Sequence, residues 1–142
     1  MFDLVLVGTD GSDRAEVAVK EAVVVAKGVG ARLLLVAAFR ESDAAEKIQS
    51  GATSLGGSLR DAAEQMLARS ARHAEEAGVE VEWEARPGHP ADVILDIAQE
   101  RGAWLIVVGN KGMTGARRYL LGGVADKLSH HAPCNVMIVR TD

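Results

Sequence analysis

Four glycines hold the most chemistry in this chain. Two residues separate Gly109 from Gly112, nine separate Gly112 from Gly122, and Gly123 follows directly. The apolar run Trp104-Leu105-Ile106-Val107-Val108 leads into the first of them, and Val124 follows the last. Glycine has no Cβ, so its backbone lets an anion come close and tolerates positive φ. The N–H groups of such a loop, with those opening the next helix, suit phosphate. Gly109, Gly112, Gly122, Gly123 and Val124 would hold it mainly through backbone donors. Lys111 and Arg117-Arg118 can add charge and Thr114 a hydroxyl, although loop cations are more often simply solvated.

These residues need elements to position them, and short apolar β-branched runs alternate here with helical periodicity. Leu4-Val5-Leu6-Val7 is continuously apolar, as in a strand covered on both faces. Ser12 or Asp13 can cap a helix to about Lys27, stopped by Gly28 and Gly30. Leu33 to Ala37 is the second strand. Residues 40–57 are small and polar, which suits either a lid-like loop or a disordered insertion. A helix over about 59–77 ends at Gly78. Residues 79–84 alternate at period two, as on a half-exposed edge strand. A helix over 91–101, a strand over 103–108, a helix over 123–131 and a strand over 135–139 complete the chain.

Five strands alternating with four helices predict a single-domain α/β fold: a doubly wound five-stranded parallel sheet with helices on both faces. In an order of 3-2-1-4-5, ligands sit beyond the strand ends where the order reverses, between the first and fourth strands. The first strand ends in Gly8-Thr9-Asp10-Gly11-Ser12 and the fourth in the glycine loop, so pattern and topology meet at one place. Asp10 suits several roles there: bonding a ribose or base, holding a phosphate-bridging metal, or capping the following helix. Ala37 is placed to line an adenine slot with its backbone.

At 142 residues, with 48% hydrophobic and 25% charged residues, the chain suits one soluble domain. A net charge of −4 argues against a nucleic-acid partner. No apolar run approaches the ~20 residues that span a bilayer, and the first residues lack a signal-peptide pattern. The lone Cys134 fits a reducing compartment, so a cytoplasmic location is expected. His130-His131 with Cys134 lacks the spacing of a metal site. His89 sits in a Pro-rich turn, as a cap or surface residue. No Ser-His-Asp grouping arises, and no general base adjoins the glycine loop, so any hydrolysis should be slow. The loop is neither a Walker A motif nor a dinucleotide fingerprint. A receiver-type signalling domain shares the layout but needs acidic and lysine residues at strand ends that differ here.

Taken together, Val7 to Ser12, Val107-Val108 before Gly109-Asn110-Lys111-Gly112, Gly122-Gly123-Val124-Ala125, and Pro133 to Val139 resemble the universal stress protein family along the whole chain. The resemblance implies the adenine nucleotide alpha hydrolase-like form of the fold and the ATP-binding subgroup. It places Gly8, Thr9, Asp10 and Ala37 on the adenosine side, with Val108 and Gly109 beside the ribose. Gly109, Gly112, Gly122, Gly123, Val124 and Ala125 fall on the phosphate side, where Mg can accompany the phosphates. The family carries hydroxyl residues where this chain has Gly123 and Ala125. Each lost neutral hydrogen bond costs about 0.5–1.5 kcal/mol. ADP, AMP or a cyclic nucleotide is thereby brought into contention with ATP, and so is a nucleotide-independent dimeric scaffold. The expected role is a stress-response sensor or regulator rather than an efficient enzyme. Residues 135–139 form an apolar edge without charge or proline, which predicts a homodimer through the fifth strand.

Overall fold

The computed structural model describes residues 2–40, 55–111 and 121–142. In chain order the elements are β1 (Leu4–Gly8), α1 (Asp13–Val29), β2 (Arg32–Phe39), α2 (Leu55–Glu76), β3 (Val81–Pro87), α3 (Pro90–Arg101), β4 (Leu105–Gly109), α4 (Gly123–His131) and β5 (Asn135–Val139). The strands form one sheet in the order β3-β2-β1-β4-β5, with every pairing parallel. This is the expected 3-2-1-4-5 order.

Continuous apolarity in β1 has the expected cause, because the strand is covered twice. Val5 and Val7 pack with Leu33, Leu35 and Val107 against Val19, Val23 and Leu67 of α1 and α2. Leu4 and Leu6 pack with Leu34 and Ile106 against Ile94, Ile97 and Leu128 of α3 and α4. Burying each such side chain contributes about 1.5–3 kcal/mol.

Glycine punctuation works as anticipated at Gly30, which closes α1 in the left-handed conformation at φ 72°, and Gly102 closes α3 in the same way at 64°. Gly28, expected as a stop, lies inside α1 instead. Its φ is not positive, so the helix runs on through it to Val29 before Gly30 closes it. Helix α2 begins at Leu55, so part of the segment 40–57 is helical rather than loop. Residues 41–54 lie outside the described residues. β3 is displaced to Val81–Pro87, because the Val79 N–H closes the end of α2 on the Ala74 carbonyl at 3.0 Å. Paired register then runs from Leu33↔Val81 to Phe39↔Pro87.

The two sheet edges differ in character. On β3, Glu84 and Arg86 form a charged network with Glu100 of α3, and Glu82 bonds Arg32 and Arg101. The Glu100 bond, backed by Glu84, holds the Arg86 guanidinium more firmly protonated than usual. Trp83 stands 42% exposed on the same strand. Exposed ion pairs of this kind contribute little stability, ~0–1 kcal/mol each, but they blunt an edge against pairing. On β5, Val136, Met137 and Ile138 are half-buried and carry no charge. Among the described residues, no helix is long and apolar enough to cross a membrane.

Two nearby glycines should respond oppositely to alanine. A Cβ at either Gly28 or Gly30 meets nothing within 4 Å, so backbone conformation decides. Gly28→Ala is expected to stabilise by about 0.5–1 kcal/mol, through the gain in helix propensity. Gly30→Ala is expected to destabilise by about 1–2 kcal/mol, the cost of a left-handed alanine. Urea unfolding of the two variants checks both signs.

Candidate functional site

The site is built where strand order reverses, because β1 pairs with β2 on one side and β4 on the other. The turn leaving β1 is fixed by three bonds. The Thr9 N–H donates to the Val36 carbonyl at 2.9 Å, and the Thr9 hydroxyl accepts the Gly11 N–H at 3.1 Å. The Asp10 carboxylate accepts the Ser12 N–H at 2.9 Å. Gly11 is obligatory on two counts. Its φ is 81°, and a Cβ there would lie 2.7 Å from Cγ of Met66. Ser12 then caps α1 by accepting the Ala15 N–H at 3.1 Å.

Across the crevice, the chain leaving β4 is tied to the segment that follows β5. The Asn110 N–H donates to the Val139 carbonyl at 2.8 Å, and the Gly122 N–H donates to the Asn110 carbonyl at 2.7 Å. This second bond brings the start of α4 to the end of β4. The Asn110 side-chain oxygen accepts both the N–H and the hydroxyl of Thr141, at 3.0 and 3.1 Å. Its amide donates to Asp142 at 3.3 Å. The Lys111 ammonium is 2.6 Å from the other Asp142 oxygen, and the lysine side chain is only 7% exposed. The bonds from Lys111 and Asn110 lower the Asp142 carboxyl to about 2.

Between these two structures lies a crevice. Of the residues singled out from the sequence, Gly8, Asp10, Val108, Gly109, Gly122, Gly123, Val124 and Ala125 line it. Ala15 and Lys111 line it too. Thr9 and Ala37 do not. Thr9 is buried and spends its polar groups on the turn, while Ala37 is packed in the core against α1 and α2. Gly112, Thr114, Arg117 and Arg118 lie outside the described residues.

Glycine serves this site through space rather than unusual backbone angles. Gly8, Gly109, Gly122 and Gly123 have no positive φ. A Cβ on Gly8 would lie 2.5 Å from Cδ1 of Ile94, and one on Gly109 would lie 3.1 Å from Thr141 and 3.3 Å from the Lys111 carbonyl. At Gly123 a Cβ meets nothing within 4 Å. Helix α4 starts at Gly122 without any side-chain acceptor. By helix geometry the first-turn N–H groups of Gly123, Val124 and Ala125 have no carbonyl partner within the helix. They stand at the positive end of its dipole, beside the crevice, and can receive an anion.

Neither Ala15 nor the strap formed by Asn110, Thr141 and Asp142 was singled out from the sequence. Ala15 was within reach of the cap argument, since Ser12 holds its N–H. The strap joins positions 31 residues apart or more, and no local pattern signals it. The histidines at the end of α4 behave as ordinary last-turn residues, with His130 Nδ1 3.2 Å from the Asp126 carbonyl. His89 is the N-cap position of α3 and makes no side-chain cap bond. Burial raises the Cys134 thiol above its usual range.

Fold and site together define a doubly wound α/β domain with a glycine-lined crevice at its strand-order reversal. The family model described as "Universal stress protein family" matches residues 1–140, and the chain belongs to that family. It is 33% identical to universal stress protein YxiE of Bacillus subtilis (strain 168), over 99% of this chain and all of that one. Among solved structures, a universal stress protein in complex with cAMP is 29% identical, with a TM-score of 0.74 over 99% of this chain and 98% of that one. The structure of protein MJ0577 superposes with a TM-score of 0.86 at 23% identity, over 100% and 98% of the two chains.

The strap has a pH signature. A depressed folded-state carboxyl stabilises the native protein above its unfolded value, near 4, and loses that contribution as pH falls through about 2. A carbon-13 NMR titration of the Asp142 carboxyl should therefore have its midpoint well below 4. A midpoint near 4 would mean that the ion pair does not form in solution.

Proposed function

We propose that this crevice binds an adenine nucleotide, with its phosphates against the first-turn N–H groups of α4 and the backbone of Gly109. One observation carries the reading: a helix N-terminus with no side-chain cap opens onto a glycine-lined crevice at the strand-order reversal. In α/β sheets that is where ligands bind, and the donor set suits phosphate. The relative complexed with cAMP supports the ligand class. Lys111 and Asp10 line the crevice with charge of each sign. Among the described residues no three His, Cys, Asp or Glu side chains gather as a metal site. Any Mg would arrive with the phosphates and keep most of its waters.

The proposed role is a stress-response regulator that reads nucleotide occupancy, with hydrolysis slow at most. Asp10 accepts the Ser12 N–H and Lys111 is paired with Asp142, so both are held by the fold's own contacts. Calorimetry with ATP, ADP, AMP and cyclic AMP tests the ligand. Binding by at least one is expected. Failure of all four at millimolar concentration overturns the reading and leaves the nucleotide-independent scaffold.

The two missing hydroxyls are not equivalent. Ala125 is 1% exposed and packs with Leu128 in the core, whereas position 123 is open. Gly123→Ser should accordingly strengthen ATP binding by up to about tenfold, equivalent to ~1.4 kcal/mol. Unchanged affinity in the same titration would show that no serine–phosphate bond forms.

Dimerisation through β5 belongs to the same reading. Unlike β3, this edge has no charged residue and no proline, and a two-fold related copy would satisfy its backbone. Met137→Lys or Ile138→Lys should give a folded monomer by light scattering and circular dichroism. Two variants that remain dimeric would place the interface elsewhere.

A further inference from the structure

We infer that Asp142 is a built-in counter-anion that competes with the ligand's phosphates for Lys111, and so sets how strongly the crevice favours charged over uncharged ligands. The inference rests on the reading of the crevice as a nucleotide site. Lys111 lines that crevice, yet its side chain is 7% exposed and its ammonium bonds the Asp142 carboxylate at 2.6 Å. Asp142 is not held by charge alone. The Asn110 amide donates to it at 3.3 Å, and Thr141 beside it is anchored twice on the Asn110 oxygen. The carboxylate is thus fixed in place by Asn110 and Lys111, the two residues that follow β4, and Lys111 itself lines the crevice.

Physically, a fixed negative charge beside the cavity cation cancels much of its pull on an incoming phosphate and repels the phosphate itself. A nucleotide must gain more from the α4 N–H groups than it loses against Asp142. A nucleoside meets no such competition. Asp142 therefore acts on selectivity and occupancy, while the backbone cradle acts on recognition.

The test is Asp142→Asn, which keeps an oxygen for the Asn110 amide and removes only the charge. Calorimetry with adenosine, AMP, ADP and ATP is run on both proteins at two salt concentrations. ATP affinity is expected to rise about tenfold at low salt. AMP and ADP should gain less, adenosine should be unchanged, and the gain should shrink at high salt. If nucleotides bind both proteins and the ratio of ATP to adenosine affinity is the same, the inference is overturned and the site reading stands. A parallel loss for every ligand, adenosine included, makes Asp142 a mere strap and also overturns it. No binding of any ligand to either protein overturns the site reading and the inference with it.

Discussion

Everything in this molecule depends on β1 being buried on both faces and paired on both sides. Its apolar residues Leu4, Val5, Leu6 and Val7 are at most 1% exposed. A strand in that position must end in a turn that satisfies its own backbone, because the groups leaving the sheet still need partners. Thr9 and Asp10 meet that demand locally, one bonding back to β2 and both bracing the approach to α1. β4 lies alongside with the same constraint, and its exit is satisfied from β5 and from the strap beyond it. The crevice is the gap left between two exits that had to be satisfied in opposite directions.

Much of this was legible in the sequence because the signals are local. The unbroken apolar run of β1 gave a doubly covered strand, and Gly30 ended a helix where expected. The extent of β5 and α4 was read correctly, since Pro133 and Gly122 bound them sharply. Topology then brought the two polar strand ends together without any long-range information.

The errors also have physical causes. At β3 the alternation begins two residues early, since Val79 and Val81 look alike in sequence. The Val79 N–H is nonetheless claimed by the end of α2. Gly28 looked like a stop because glycine is a poor helix former, but one such residue costs less than continuing the helix gains. Ala37 was expected to line an adenine slot with its backbone; its side chain packs in the core on the α1 and α2 face. The strap from Asn110 to Thr141 and Asp142 arises from tertiary proximity alone.

The contact beneath Gly8 carries a consequence for how the family's sequences can vary. Ile94 belongs to α3, a helix that contributes no residue to the crevice wall. Its terminal methyl occupies the space that any side chain at position 8 would need. Positions 8 and 94 therefore share one space: a side chain at position 8 would need the end of Ile94 to turn aside. The floor of the crevice is in this sense inherited from the packing of a distant helix, and drift in that helix can reshape the crevice without touching a residue that lines it.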